Sequence, residues 1–185
     1  SNQEQLAPGL AVITKRNGDG AVVQGMNLEL NVAYRSKVIL QSGATFQNAR
    51  YRKDEVIWDP VDPTDSSSAL TTKRILRTPN AYAYFSLVYN PTKQIAISYS
   101  GVLTGSMLVP HVIDPLTEKT TLKETPVFFE NNIKLAYTFK LEQEHHLQLF
   151  GGIQNIFNSY QRDQDTGSLR DAGYVYGPMR PRTVF

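Results

Sequence analysis

Apolar and polar residues alternate along most of the chain with a period of two, the pattern of strands that bury one face and wet the other. From Val22 to Tyr34 the even positions Val22, Met26, Leu28, Leu30, Val32 and Tyr34 are apolar apart from Gln24, while Gly25, Asn27, Glu29, Asn31 and Ala33 fill the opposite side. After a tight Arg35-Ser36-Lys37 turn the pattern resumes with Val38, Leu40, Ala44 and Phe46 against Gln41, Gly43, Thr45 and Gln47. A second hairpin runs through Ala81, Ala83, Phe85, Leu87 and Tyr89, turns at Asn90-Pro91-Thr92-Lys93, and returns through Ile95, Ile97, Tyr99, Gly101 and Leu103. Pro91 presets φ for a turn and has no place inside a ladder. A third hairpin sets Val127, Phe129, Ile133, Leu135, Tyr137, Phe139 and Leu141 against Glu130, Asn132, Lys134, Thr138 and Lys140. It turns over Glu142-Gln143-Glu144 and returns through Leu147, Leu149, Gly151 and Ile153. A seventh strand is expected from near Tyr174 to Phe185, and no segment carries a 3.6-residue apolar stripe of helix length.

Turns and connections add a second regularity. The turns within hairpins are short, whereas Tyr51 to Asn80, Gly105 to Pro126 and Ser159 to Gly173 are long and hold the Asp59-Pro60-Val61-Asp62-Pro63 cluster and the Ser66-Ser67-Ser68 run. The strands read as roughly 11 to 14 residues, against about 5 or 6 in an ordinary sheet and about 9 to 11 in a tilted membrane span. Short turns on one rim and long loops on the other predict an all-β fold, an antiparallel up-and-down meander forming part of a transmembrane β-barrel. In that arrangement the odd positions of the third to sixth strands face lipid and the even ones a lumen. Tyr34, Tyr89, Tyr137 and Phe139, at the short-turn ends, are placed as an interfacial aromatic girdle. The long connections are expected outside the cell, and the turns at Ser36 and Thr92 in the periplasm.

Composition narrows the picture. The 185 residues, 41% hydrophobic, suit one domain with a substantial core. Cysteine is absent, which removes disulfides and thiolate metal sites. With 19 basic and 17 acidic residues the net charge is +2, which gives no field to attract nucleic acid. No apolar run approaches the ~18 residues of a transmembrane helix. Ser1-Asn2-Gln3 reads as a processed or cut end.

Three motifs carry a family resemblance: Asn155-Ile156-Phe157-Asn158, then Tyr174 or Tyr176 followed by Arg180-Pro181-Arg182-Thr183, and the run Gly25-Met26-Asn27-Leu28-Glu29-Leu30. With the layout, they make the chain resemble the carboxyl-terminal part of the β-barrel of TonB-dependent outer-membrane receptors of the Bacteroidetes type. The resemblance implies that residues 1–185 are about seven strands of a 22-stranded barrel domain, with plug domain and TonB box absent. It implies transport of a scarce ligand (iron chelate, haem, cobalamin or glycan) across the bacterial cell outer membrane. The implied partners are outer-membrane lipid, a small-molecule or glycan ligand held by the extracellular loops, and TonB through missing amino-terminal regions. Few loop aromatics accompany Trp58, so a small chelate or corrinoid is preferred among those ligands. Two alternatives stand beside this reading. One is a complete eight-stranded outer-membrane barrel of structural or adhesion type, with an extra strand in Leu6 to Thr14. The other is a soluble β-sandwich binding module.

No G-x-S-x-G, H-E-x-x-H, C-x-x-C or phosphate-cradling glycine loop is present, so no enzyme activity, cofactor or catalytic residue is assigned. His145 and His146 adjoin a turn and are expected in solvent, and His111 is expected on a loop surface. Asp163, Asp165, Gly167 and Asp171 form a loose acidic loop without the spacing of a calcium site, so no metal is assigned. Glu29, Glu130 and Lys134 are placed on the polar face, lining a lumen, and Arg180 and Arg182 in the barrel wall near the outer rim.

Overall fold

The computed structural model describes residues 2–7, 10–14, 18–60, 68–142 and 145–185. In chain order the strands are β1 (Asn2–Ala7), β2 (Leu10–Thr14), β3 (Ala21–Tyr34), β4 (Val38–Trp58), β5 (Leu70–Arg74), β6 (Ala81–Tyr89), β7 (Ile95–Thr104), β8 (Leu108–Asp114), β9 (Lys119–Glu124), β10 (Phe128–Lys140), β11 (His146–Gln154) and β12 (Thr183–Val184). β1 and β2 pair as a hairpin, as do β8 and β9, and the rest form one antiparallel sheet in the order β12-β11-β10-β7-β6-β4-β3, with β5 beside β4.

The alternation maps onto one face of this sheet. Leu28 stands opposite Ala44, Ala44 opposite Ala83, and Ala83 opposite Leu103. Leu103 faces Phe129 on β10, and Leu135 faces Gly151 on β11. Cross-strand partners share a side, so the apolar positions of six strands form one surface, and Glu29, Glu130 and Lys134 lie on the other. At the tip of the first hairpin Arg35 adopts φ 47 and Lys37 N–H donates to Tyr34 O at 3.2 Å. At the second, Thr92 Oγ1 accepts from the amide of Ile95 at 3.1 Å, an ST-type turn after Pro91.

A barrel does not form. β3 and β12 lie at opposite ends of the strand order and do not pair, and the sheets are neither closed nor curled. The reading as seven strands of a 22-stranded transmembrane barrel is thereby corrected to an open antiparallel sheet carrying a hairpin layer. The complete eight-stranded barrel falls on the same finding. So do the lipid-facing and lumen-facing sides and the girdle, although Tyr137 and Phe139 do meet, with ring centroids 4.5 Å apart. No helix among the described residues is long and apolar enough to cross a membrane.

Two further differences have local causes. The segment from Tyr174 runs as loop, with strand only at Thr183–Val184, because Pro178 and Pro181 supply no amide hydrogen and the Gln161 side chain holds the backbone of Tyr174 and Tyr176. The connection after β7 folds as the β8–β9 hairpin, whose turn Asp114 closes by accepting from the Leu116 amide at 3.0 Å and the Thr117 hydroxyl at 2.7 Å. These two hydrogen bonds, that of Thr117 foremost, hold the Asp114 carboxyl below its ordinary range. Val61-Asp62-Pro63, Ser66-Ser67 and Gln143-Glu144, which carry part of the expected turns, lie outside the described residues.

The core sits where this hairpin meets the carboxyl-terminal loops. Val109, Tyr174 and Met107 are buried together with Tyr176 packed against them, and Phe128 is buried beside Tyr176 at a ring separation of 5.9 Å. A Cβ at Gly177 would lie 2.5 Å from the Phe128 ring, so only glycine allows this approach.

Candidate functional site

Three features compete for the role: a polar cluster in the loop layer, a groove on the polar face, and the open apolar face.

The cluster is assembled from β8, β9 and the loop before β12. His111 on β8 stacks on Tyr174 with ring centroids 3.8 Å apart and an 18° interplanar angle, and its Nε2 lies 2.9 Å from Asp165 Oδ2. Lys123 on β9 donates to Asp163, which also accepts from the Tyr174 hydroxyl at 2.9 Å and from the Tyr176 hydroxyl. Asp171 accepts from the amides of Val112 and Gly173 at 2.9 and 2.8 Å. Arg77 closes the assembly by donating to the carbonyls of Val175 and Gly173 at 2.8 and 2.5 Å.

Its electrostatics follow from these contacts. Partial burial pushes the Asp163 carboxyl up, but the hydrogen bonds from Lys123, Tyr176 and Tyr174 prevail and hold it well below its ordinary range. The same Asp163 contact, with that of Tyr174, drives Lys123 above its ordinary value. Burial and then the bond to Asp163 push the Tyr176 phenol up. The hydrogen bond to His111 and that from the Asp171 amide lower Asp165. Each carboxylate is committed to protein donors, and among the described residues no group of three His, Cys, Asp or Glu is arranged to hold a metal ion. The arrangement ties loops to a hairpin.

Asparagines shape the groove. Asn155 and Asn158 adopt φ 50 and 55, a left-handed backbone that asparagine tolerates best after glycine. Asn155 Nδ2 donates to the carbonyls of Arg180 at 2.8 Å and Ser159 at 3.2 Å, while its Oδ1 accepts from the Ser159 amide at 2.8 Å. Asn158 Oδ1 receives the Arg182 amide at 2.9 Å. The returning segment is thereby laid along β10 and β11, leaving a shallow cavity of about 370 Å³ bounded by Glu130, Asn132, Gln154 and Arg180. Asn132 Oδ1 is already engaged by the Asn155 amide at 2.9 Å.

The apolar face is the largest of the three. On β3, β4, β6, β7, β10 and β11 its ladder positions include no Asp, Glu or Lys, and Arg50, opposite Val22, stands at its far end. Phe85 packs on Tyr99 at 5.0 Å within it, yet much of it is open: Leu28, Leu135 and Leu149 are 51, 55 and 57% exposed.

The residues singled out in the sequence are distributed unevenly over these features. His111, Asp163, Asp165 and Asp171 meet in the cluster, so His111 is a packed hairpin residue and not a loop surface one. His146 opens β11 opposite Lys140 and is exposed. The Leu141 amide bonds the His145 carbonyl at 2.9 Å, which places His145 in the turn. Gly167 takes φ +93 in the loop. Glu29 and Lys134 sit on the polar face with no lumen before them, and Lys134 Nζ lies 5.6 Å from the Phe150 ring centroid. Trp58 ends β4 opposite Leu70 and is not a loop aromatic. Lys123, Tyr174 and Tyr176 were not picked out as site residues, because only the pairing of β8 with β9 brings Lys123 to the aromatic pair.

No family model and no curated protein matches the chain. With the open sheet, this overturns the resemblance to TonB-dependent receptors. Transporter function, outer-membrane location, and the lipid, TonB and loop-ligand partners are withdrawn with it, since each rested on a closed barrel that the structure lacks.

Proposed function

We propose that the chain is a non-catalytic binding module of the β-sandwich kind, in which this sheet supplies one layer and the matching face of a second copy supplies the other. The observation that carries the reading is the open apolar face, free of Asp, Glu and Lys at its ladder positions and charged there only at its Arg50 end. Six strands at about 4.8 Å spacing and some nine residues at about 3.3 Å rise give a footprint on the order of 900 Å², close to the ~800 Å² per partner of a stable interface. With Arg50 at one end as the one charge on these ladder positions, the face meets its own copy across a two-fold axis with little like-charge repulsion, as an isologous contact requires. In the polar cluster Asp163 is committed to Lys123, Tyr174 and Tyr176, an arrangement that suits tying loops to a hairpin.

Sedimentation velocity without detergent tests the proposal. The wild-type chain and the polar-face variant Lys140→Glu are expected to sediment as dimers, and Leu135→Lys and Leu28→Lys, each checked for strand content by circular dichroism, as monomers. A monomeric wild-type chain would overturn the proposal, as would partition of that chain onto phosphatidylcholine vesicles in place of self-association.

A further inference from the structure

Among the described residues β3 is the last strand of the sheet, 14 residues long and exposed throughout. A strand in that position leaves the N–H and C=O groups of alternate residues unpaired along its outer side. Sheet edges are ordinarily protected by lysines, proline, bulges or shortness. β3 has none of these. Its register against β4 runs without a shift from Ala21 opposite Tyr51 to Tyr34 opposite Val38, and Glu29 is its single charged residue. The other end of the sheet is different, because β12 has two residues and only the tip of β11 is paired with it.

We infer that the outer edge of β3 is a strand-addition site, taking an extended segment of a partner polypeptide in antiparallel pairing. The chemistry of the segment follows from the two faces it must continue. It carries apolar residues at every second position, beside Met26, Leu28, Leu30 and Val32, and polar residues between them, beside Asn27 and Asn31. A lysine or arginine stands across from Glu29, where opposite charges on facing strands favour one register. Backbone hydrogen bonds provide the attachment and the alternating side chains the selectivity, as in other β-augmentation. The inference does not depend on the two-copy sandwich.

A synthetic peptide of residues 22–34 carrying Glu29→Lys serves as the probe, since antiparallel pairing of Leu28 with Leu30 places its lysine opposite Glu29. Amide hydrogen exchange is followed in the wild-type chain and in Leu135→Lys. At a peptide concentration about ten times its Kd, the outward-pointing alternate amides of β3 are expected to exchange about ten-fold more slowly, while those bonded to β4 do not change. The protein variant Glu29→Lys should reverse the preference, binding the unmodified 22–34 peptide about two- to five-fold more tightly than the lysine peptide. Equal protection by a scrambled peptide, protection of residues on the apolar face in place of alternate β3 amides, or an unreversed preference would each overturn the inference.

Discussion

Asn155 shows how much one side chain decides in the loop layer. It is 2% exposed, holds a left-handed backbone, and its amide group makes three hydrogen bonds that tie Ser159 and Arg180 to the end of β11. Asn155→Ala leaves buried carbonyl and amide groups without partners, at a cost of about 1–3 kcal/mol, measurable as a lower urea midpoint. The Asn155-Ile156-Phe157-Asn158 quartet was conspicuous in the sequence, but as a strand end of a receptor; its physical role is a turn that aims the returning chain. Asp163 is the second such residue. Its folded pKa lies well below the ordinary carboxylate range, so its contribution is present above the unfolded pKa and lost as pH falls through the depressed folded value. Asp163→Asn is therefore expected to flatten the fall in stability on acidification below about pH 4, read as thermal midpoint against pH. Lys123 and Tyr176 shift the other way, and their contribution is present below their unfolded pKa values and lost as pH rises past their raised folded ones.

Elements with a clean period of two were legible, and those held by side-chain anchoring were not. β3, β6, β7, β10 and β11 fall where the alternation placed strands, because each has one apolar and one polar side. β8 and β9 escaped notice since Leu108-Val109-Pro110-His111-Val112 mixes both sides and Lys119-Thr120-Thr121 is polar on both; only their mutual register makes a hairpin of them. The expected strand from Tyr174 failed because Gln161 captures the segment, donating to Tyr174 O at 3.0 Å and accepting from the Tyr176 amide at 2.9 Å. Two glycines let aromatic rings approach the backbone closely. A Cβ at Gly177 meets the buried Phe128 ring, and a Cβ at the buried Gly101 meets the Phe85 ring at 2.4 Å and the Phe129 ring at 3.1 Å. Gly177→Ala is expected to cost about 1–3 kcal/mol, the range for overpacking, because Phe128 has nowhere to go. Gly101→Ala should cost a similar amount, because Phe85 is held between Tyr99 and Phe129, and equilibrium unfolding of the two variants in urea compares them directly.

At the scale of the molecule, alternation predicts which residues share a face and is silent on whether a sheet closes. Long strands, short turns and aromatic strand ends fit a barrel wall and an open layer equally well, and the free edges of β3 and β12 decide between them. What the open layer implies is a surface with definite thermodynamics. Its ladder lacks carboxylates and lysines, so association through it involves almost no charge pairing. Screening shortens the reach of charges from about 14 Å at about 0.05 M salt to about 4 Å at about 0.5 M, yet among these ladder positions Arg50 at the far end is the one charge for it to act on. The dimer Kd is therefore expected to stay constant or tighten across that range, whereas association through polar-face groups such as Glu130 and Lys134 would weaken. Burial of apolar surface also lowers heat capacity, the most robust mark of such contacts. Dilution calorimetry at several temperatures should give a negative heat-capacity change for dimerisation that disappears in Leu135→Lys. A Kd that rises several-fold with salt, or a heat-capacity change near zero, would show that the apolar face is not the surface through which copies meet.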